Sequence, residues 1–373
     1  MVKYNSLLLI LTFIFLASCS SLNEKITLNG HNINKKVNVI NIWSKRFDSK
    51  HQSGNLPIST TSAIINDTYV FASNQSGKFL AFNKKTGRRV WAKESKGLLT
   101  SAPSVIGKDV FYGTNSGRFY SRKQNNGSLN FEIDLGAGIA TPAVFYKGRI
   151  FLHLNNHKII SLDQSTGKLL WAYTRSVPYT TTIQGASTPL IYNNSLIIGF
   201  SDGFLTSFRI DDGVLQWEKK IALNDKFVDI DITPIVLGRS LYIFSQDEEL
   251  YQLNLSNGDI KKKFEVFPSS YIKNGKSLVI GTKFGNLKVL KNSKFELNKK
   301  ISNAGINNIL KLKKGYFLTD LSGYLYFLDN NYNEVWKRYL GHSYSTNLAA
   351  PYSHGDYVAV YSSRENLYLY QIK

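Results

Sequence analysis

The sequence contains one cysteine and one methionine in 373 residues. A single cysteine, Cys19, excludes a disulfide scaffold, a cysteine-ligated zinc or iron–sulfur site and a redox pair of cysteines. The single methionine is the initiator Met1, so a methionine-rich binding groove is excluded as well. The core must therefore be built from the ordinary hydrophobic residues, which make up 43% of the chain.

The N-terminus carries only a short hydrophobic run. Leu7–Leu16 has ten residues, about half of the ~20 that a membrane-spanning helix needs. Lys3 precedes this run and small residues follow it, which is the layout of an export signal. The segment 16–19, Leu-Ala-Ser-Cys, resembles the bacterial lipobox, in which the cysteine becomes the lipidated first residue. We therefore predict a lipoprotein signal peptide at 1–18 and lipidation at Cys19; an ordinary cleaved signal with an incidental cysteine is the alternative.

The residues after the predicted cleavage site indicate where such a lipoprotein would reside. Ser20, and not Asp, follows the cysteine, and by the lipoprotein sorting rule this predicts the outer membrane. Residues 19–36 are rich in Asn and Lys and are expected to form a lipidated flexible tether. The sequence thus predicts a protein held by its lipid at the periplasmic face of the outer membrane.

Acidic residues are few, 26 against 46 basic ones, so the formal net charge is +20. Such a charge is typical of nucleic-acid-binding proteins, but an exported lipoprotein does not meet nucleic acid in its compartment, and we predict none as a partner. The basic residues appear spread along the chain, with Lys261–Lys263 and Lys299–Lys300 as the short runs. Compositional bias explains this pattern; attraction to anionic lipid headgroups or to an acidic partner is the alternative.

No segment of the mature chain shows convincing helical periodicity, whereas a motif recurs eight times. Its clearest copies are residues 76–91, 156–171 and 202–217, each with alternating apolar residues, a glycine turn and then Trp. The first apolar residues of the copies recur at an average interval of about 41 residues: Phe79, Phe119, Ile159, Leu205, Leu250, Leu287, Leu325 and Leu367. Four short strands per repeat of this length are typical of a β-propeller blade.

Two further features support a propeller. Five copies are preceded by a small residue and a proline that open an apolar strand, at Pro103, Pro142, Pro189, Pro234 and Pro351. All five tryptophans fall at the end of a predicted fourth strand, namely Trp43, Trp91, Trp171, Trp217 and Trp336, and Phe131 takes this place in another blade. A large ring recurring at one position predicts packing between neighbouring blades.

Trp43 precedes the first complete copy, whereas the last copy ends without a tryptophan strand. We therefore predict that the N-terminal strand, residues 37–46, completes the last blade and so removes exposed sheet edges. The predicted fold is all-β: an eight-bladed propeller of four-stranded antiparallel blades over residues 37–373.

The repeat Gly-x-Leu-x-Ala-Leu-x-x-x-Thr-Gly-x-x-x-Trp resembles the PQQ-like propeller repeat of bacterial quinoproteins and their non-enzymatic relatives. With the lipobox and eight blades, the chain resembles the BamB family of outer-membrane assembly lipoproteins. Residues 229–234, Asp-Ile-Asp-Ile-Thr-Pro, are similar to that family's Asp-x-Asp-x-Thr-Pro stretch. Residues 253–258, Leu-Asn-Leu-Ser-Asn-Gly, match its Leu-Asp-Leu-Arg-Ser-Gly turn, with Ser256 in place of Arg.

The resemblance implies a non-catalytic scaffold of the machinery that inserts β-barrel proteins into the outer membrane. It implies a periplasmic domain of the central barrel assembly protein BamA as the partner, and Asp229, Asp231, Leu253 and Leu255, on adjacent blades, as partner-binding residues. Whether unfolded outer-membrane proteins are bound directly is left open; they could add a strand to an exposed edge.

A PQQ-dependent oxidoreductase and a periplasmic ligand-binding propeller are the alternatives, because the fold is shared. The enzymes generally carry a vicinal cysteine pair, which this chain cannot form, and a calcium-ligand set that the sequence does not reveal. His153 and His157 straddle a predicted strand and turn, so we expect structural histidines and not metal ligands. We therefore predict no catalytic residue, no cofactor and no metal.

Overall fold

The computed structural model describes residues 37–47, 61–74, 76–176, 186–221, 229–245, 249–340, 349–362 and 366–373. All regular secondary structure in these residues is β, and it forms eight four-stranded antiparallel sheets. Within these ranges no helix is long and apolar enough to cross a membrane. The predicted eight-bladed propeller is confirmed; the predicted signal peptide and tether, 1–36, lie outside the described residues.

Each blade is a meander whose strands follow one another in the sequence. The first four blades contain β2 (Ile64–Ile65), β3 (Tyr69–Ser73), β4 (Lys78–Asn83) and β5 (Arg89–Glu94); β6 (Ser104–Ile106), β7 (Asp109–Gly113), β8 (Arg118–Lys123) and β9 (Leu129–Asp134); β10 (Val144–Tyr146), β11 (Arg149–His153), β12 (Lys158–Asp163) and β13 (Leu169–Thr174); and β14 (Leu190–Tyr192), β15 (Ser195–Gly199), β16 (Phe204–Arg209) and β17 (Leu215–Lys220).

Blades 5 to 7 repeat this order, and blade 8 takes its fourth strand, β1 (Val39–Arg46), from the N-terminus. They contain β18 (Ile235–Leu237), β19 (Ser240–Phe244), β20 (Glu249–Asn254) and β21 (Ile260–Glu265); β22 (Pro268–Asn274), β23 (Ser277–Thr282), β24 (Asn286–Lys291) and β25 (Lys294–Lys300); β26 (Ile306–Leu312), β27 (Gly315–Asp320), β28 (Tyr324–Asp329) and β29 (Glu334–Tyr339); and β30 (Tyr352–His354), β31 (Tyr357–Tyr361) and β32 (Asn366–Ile372).

The first strands of neighbouring blades contact one another, as β22 does with β26 and β2 with β30, so they lie nearest the axis and the fourth strands lie outermost. The linkers between blades and the turns between second and third strands form one face of the ring, which we call the linker face. The turns between first and second strands and between third and fourth strands form the opposite face, the turn face.

The eight repeat residues that set the predicted register all occupy the second position of a third strand. Each is at most 1% exposed, from Phe79 in β4 to Leu367 in β32. The repeat pattern thus marks a fully buried position in the third strand of every blade.

The predicted ring closure is confirmed. β1 pairs antiparallel with β32, from Val39 opposite Ile372 to Arg46 opposite Asn366. Asn38 and Lys373 also exchange two backbone hydrogen bonds of 2.8 Å, each N–H donating to the other residue's carbonyl. The two ends of the described ring therefore share one sheet, and blade 8 has a full outer strand.

Between blades, an aromatic ring on the outer strand packs against a glycine in the next blade's turn. A Cβ placed on Gly87 would lie 2.8 Å from the Trp43 ring, and one on Gly213 would lie 2.6 Å from the Trp171 ring. The same relation holds at Gly127 with Trp91, Gly167 with Phe131 and Gly258 with Trp217. These glycines have φ values from 63° to 75°, so both the backbone conformation and the space exclude a side chain. The predicted role of the aromatic residues in packing between blades is confirmed.

Three of the indoles also donate a hydrogen bond to a carbonyl of that turn. The Nε1 atoms of Trp43, Trp91 and Trp171 lie 2.7, 2.8 and 2.9 Å from carbonyl oxygens of the next blade. The prediction that the tryptophans end their strands is wrong. Trp91, for example, is the third of six residues in β5. The pairing of β4 with β5 shifts register beside Trp91, and the strand continues beyond it.

Three junctions depart from this arrangement. Between blades 7 and 8, Trp336 packs against Tyr370, with ring centroids 5.7 Å apart, in place of a turn glycine.

The other two junctions lack an aromatic residue on the outer strand. In the other outer strands the aromatic residue stands beside the register shift. The residue at this position is Lys262 in β21 and Leu297 in β25. In blade 7 the turn residue with positive φ is Tyr332, at 64°, in place of glycine. Its ring stacks 4.9 Å from that of Tyr316, and Leu297 and Tyr332 pack against the same core cluster. The aromatic ring at the junction between blades 6 and 7 is thus supplied by the turn and not by the strand.

We predict strong coupling between these two positions. Tyr332→Gly should lower the free energy of unfolding by about 2 kcal/mol, because it leaves a cavity. Leu297→Trp alone should also destabilise, by about 1–3 kcal/mol, because the new indole meets the Tyr332 ring. The double variant restores the arrangement of the other blades and should recover most of the loss in urea unfolding. Additive losses in the double variant would contradict this account.

Candidate partner-binding surface

The acidic pair singled out in the sequence lies on the linker face, between β17 and β18. Ile230, between the two carboxylates, is 1% exposed and belongs to the core cluster between blades 4 and 5. Its N–H donates to the carbonyl of Phe200 over 3.2 Å. A Cβ at Gly199 would lie 2.2 Å from the Ile230 side chain, so this glycine leaves the space that Ile230 occupies. The buried isoleucine thereby fixes the segment that carries the two acids.

Asp229 and Asp231 are both half-buried on this anchored segment. Burial, and secondly the negative charge of Asp231, raise the pKa of Asp229 to about 6. Folding therefore holds Asp229 in a position that disfavours its charged form at neutral pH. Carboxylates whose pKa is strongly raised are concentrated at functional sites.

Leu253 and Leu255 do not join this pair. Leu253 in β20 is fully buried in the core cluster between blades 4 and 5, so its side chain has no surface to offer a partner. Leu255 follows the end of β20 on the turn face, beside Asn254, which pairs with Ser240. The acidic pair precedes β18 at the other end of the same sheet, and the strands between span about 17–20 Å. The prediction of one surface on adjacent blades is therefore wrong.

The sequence reasoning missed a charged network on the linker face of blades 3 and 4. The Arg175 guanidinium donates to Asp202, over 2.5 Å, and to Glu218, while it stacks 4.4 Å above the Phe204 ring. The Arg175 side chain is only 10% exposed. The two carboxylates connect Arg175, the first residue after the outer strand of blade 3, to blade 4. Because both are bound to the guanidinium, it is not available to a ligand.

A sequence signal for this network exists. Arg175 is the first residue after its outer strand, and its N–H donates to the turn residue His157. The equivalent residues of other blades make the same bond to a glycine and are uncharged: Ser95, Leu135, Ile221, Ile301 and Leu340. One arginine in an otherwise uncharged column predicts buried counter-charges.

The two histidines considered in the sequence are confirmed as parts of the fold. His153 is buried at the end of β11, and its Nδ1 lies 3.0 Å from the carbonyl of Ser187. Burial lowers the pKa of His153 to about 4, so the ring is neutral at physiological pH. His157 stands at a turn position with φ of 60° that is glycine in other blades.

The residues present do not fit the calcium and quinone of a dehydrogenase. No group of three or more His, Cys, Asp or Glu side chains that could hold a metal ion occurs among the described residues. The one cysteine cannot supply a vicinal pair. The side chains within the described ranges therefore offer no calcium-ligand set of this kind.

The raised pKa of Asp229 generates a prediction about stability. Asp229→Asn is a neutral isostere, and its melting temperature should be roughly 1–2 °C above that of the wild type at pH 8. The difference is small because solvent screens the half-buried carboxylate. The difference should disappear towards pH 4, because the folded wild type binds a proton at Asp229 below its pKa of about 6 and gains stability as the pH falls.

Thermal unfolding at pH 8 and pH 4 measures this effect. Asp211→Asn, in an exposed turn of blade 4, is the matched control for the loss of one carboxylate. A lower melting temperature of Asp229→Asn at pH 8 would disprove the assigned electrostatic strain.

The chain matches the family model described as outer membrane protein assembly factor BamB over residues 41–130 and 81–293. It is 22% identical over 253 residues to the protein of that name from Moranella endobia, covering 63% of this chain and 65% of the relative. The Yersinia pestis protein of the same name is 23% identical over 216 residues, 53% of this chain and 55% of the relative. The matched part thus spans less than two thirds of either relative.

Solved structures show the same fold. The crystal structure of BamB from Moraxella catarrhalis superposes with a TM-score of 0.74 at 16% identity, covering 89% of this chain and 99% of that chain. Quinohemoprotein alcohol dehydrogenase from Comamonas testosteroni superposes with a TM-score of 0.69 at 11% identity, covering 89% and 76%. The fold is therefore shared with enzymes, whereas the family match over 41–293 is specific. By that match, the chain belongs to the family of outer membrane protein assembly factor BamB.

Proposed function

We propose that this chain is a non-catalytic scaffold of the machinery that inserts β-barrel proteins into the outer membrane. The family to which it belongs is named for outer-membrane protein assembly. The observation that carries the proposal is the acidic pair, Asp229 and Asp231, which the buried Ile230 holds rigidly on the linker face. A rigid ring with loops fixed on its faces suits the binding of a modular partner.

The proposed partner is a periplasmic domain of BamA, and the acidic pair is the proposed contact. A desolvated carboxylate pair favours a surface with cationic or N–H donor groups, which would compensate the charges that burial disfavours. Leu253 is excluded from the contact by its burial. Leu255 lies on the opposite face, so a single small domain that contacts the acidic pair would not reach it.

The absence of catalysis is part of the proposal. The dehydrogenase that shares the fold does so at 11% identity, which carries no functional residue over to this chain. Two arrangements of charged groups on the linker face stand out, the Arg175 network and the acidic pair. Neither arrangement pairs a nucleophile with a base.

Charge reversal tests the contact. Asp229→Lys combined with Asp231→Lys should lower co-purification of BamA from solubilised membranes at least about tenfold, because both carboxylates would become repulsive. Burial disfavours an ammonium at this position as it does a carboxylate, so an unchanged circular dichroism spectrum has to show that the variant ring is folded.

Asp211→Lys with Asp212→Lys is the matched control. These acids are exposed in the β16–β17 turn, on the opposite face, and their ion pairs with Arg149 and Arg209 are superficial, so this variant should recover BamA normally. Full recovery of BamA by the Asp229 and Asp231 variant would remove the acidic pair from the interface.

We further propose that a lipid on Cys19 holds the ring at the periplasmic face of the outer membrane. Cys19 and the tether, 19–36, lie outside the described residues, and the proposal rests on the lipobox and on Ser20. The relatives are named for the assembly of outer membrane proteins, which supports a place in the cell envelope. Several acyl chains on one cysteine would anchor the protein firmly, at about 0.8 kcal/mol per buried CH₂.

Cys19→Ala should move the protein from the membrane fraction to the soluble periplasmic fraction. The ring should stay folded, because its described core contains no cysteine. Fractionation after a high-salt wash, which removes peripheral association, measures the effect. Unchanged membrane association of the washed variant would contradict lipid anchoring.

A further inference from the structure

The positive charge of the chain is concentrated in one part of the ring. Residues 261–314, from the outer strand of blade 5 into the first turn of blade 7, contain fourteen lysines, no arginine and only two acids, Glu265 and Glu296. This segment of 54 residues has a net charge of +12, out of +20 for the whole chain. The expectation that the basic residues are evenly spread is therefore wrong.

Six of these lysines meet on the turn face of blades 6 and 7, and we call them the lysine sector. They lie at the β22–β23, β24–β25 and β26–β27 turns: Lys273, Lys276, Lys291, Lys294, Lys313 and Lys314. Five of the six are exposed and Lys314 is half-exposed. The chain thus presents a dense cationic surface at neighbouring turns.

Little negative charge opposes the lysine sector. Lys291 has Glu296 at 3.5 Å, and the Lys273 ammonium donates to the carbonyl of Val236. The other four lysines form no ion pair with any residue that the structure describes. The β28–β29 turn, with Asp329 and Glu334, bounds the sector on one side.

The sector also contains space at its centre. A groove of about 420 Å³ opens between blades 6 and 7, lined in part by Lys276, Lys291, Asn274 and Tyr332. It lies at the junction where Leu297 replaces the tryptophan of other blades, and Leu297 lines it as well. Glu296, which pairs with Lys291, lines the groove too, so Lys276 is the ammonium there that forms no ion pair among the described residues and could receive a phosphate group.

The exclusive use of lysine indicates the kind of partner. Arginine is enriched and lysine depleted in protein–protein interfaces, and arginine is the residue for planar, bidentate recognition. Lysine is a hydrated point charge on a flexible stem, which suits phosphates that present themselves in many orientations. A layer of anionic lipid headgroups has this character, and juxtamembrane lysines attract such layers.

We propose that the lysine sector binds the anionic phospholipid headgroups of a membrane surface. Each lysine near such a surface contributes about fivefold to partitioning, so several together give appreciable, salt-sensitive binding. The acidic pair lies on the opposite face of the ring, so the sector and the proposed BamA contact do not compete. This inference is independent of the proposed partner and goes beyond it.

Vesicle sedimentation tests the proposal with the mature chain from Ser20 onwards, so that neither an attached lipid nor the apolar signal segment contributes. The protein should sediment with vesicles of phosphatidylglycerol and phosphatidylcholine at 50 mM NaCl, and not with phosphatidylcholine alone. Binding should fall at 300 mM NaCl, because salt screens exposed charges. The variant Lys276→Gln, Lys294→Gln, Lys313→Gln and Lys314→Gln should bind at least about tenfold more weakly.

A matched variant separates the effect of the lysine sector on binding from the effect of total charge. Lys85→Gln, Arg88→Gln, Lys108→Gln and Lys168→Gln remove four exposed positive charges from the turn face of blades 1 to 3, and this variant should keep most of the binding. Equal loss in both variants, equal binding to neutral vesicles, or no binding by the wild type would overturn the proposal. Binding to polyglutamate without binding to vesicles would also overturn it, in favour of an acidic protein. Recovery of BamA by the sector variant should stay normal, which separates this test from that of the proposed function.

Discussion

The contact between an outer-strand aromatic ring and a turn glycine of the next blade is the interaction on which the ring depends. A propeller blade cannot bury both of its faces alone, so every sheet needs a neighbour. The wedge of space between two radiating sheets is widest at the rim, where a tryptophan is the side chain large enough to fill it. The glycine lets the next turn approach the ring to within van der Waals distance. Trp43 makes this contact with Gly87 of blade 1, so ring closure uses the same interaction as the four junctions from blade 1 to blade 5.

Departures from this contact coincide with the unusual surfaces of the molecule. Blades 5 and 6 have Lys262 and Leu297 in place of the tryptophan, and the lysine-rich segment begins at this point of the chain. Tyr332 supplies from the turn the ring that Leu297 lacks, and a groove lies at this junction between blades 6 and 7.

The two faces of the ring carry different chemistry. The linker face holds the Arg175 network, in which two carboxylates bind one guanidinium, and the acidic pair, in which burial raises the pKa of Asp229 to about 6. The turn face of blades 6 and 7 is cationic. A scaffold held at a membrane has to bind a partner and keep an orientation at the same time, and opposite faces of one rigid ring allow both without interference.

The repeat pattern was enough to predict the number of blades, the register of every third strand and the closing strand, because these depend on local periodicity and turn chemistry. Phe79 and its seven equivalents are buried wherever the repeat places them, since their position in the strand fixes the face on which they lie. The aromatic positions were predicted correctly in role but not in place within the strand, because the register shift beside each ring is a property of the paired ladder.

Only the tertiary structure decided which residues far apart in the chain lie on the same surface. Leu253 and Asp229 are 24 residues apart and looked like one surface, yet one is buried and the other lies at the opposite end of the sheet. The carboxylate partners of Arg175 come from another blade, and the +12 segment becomes a surface only when three turns are brought side by side. Sequence spacing fixes which side of a strand a residue faces, whereas the curvature of the ring decides which turns become neighbours and which side chains remain in water.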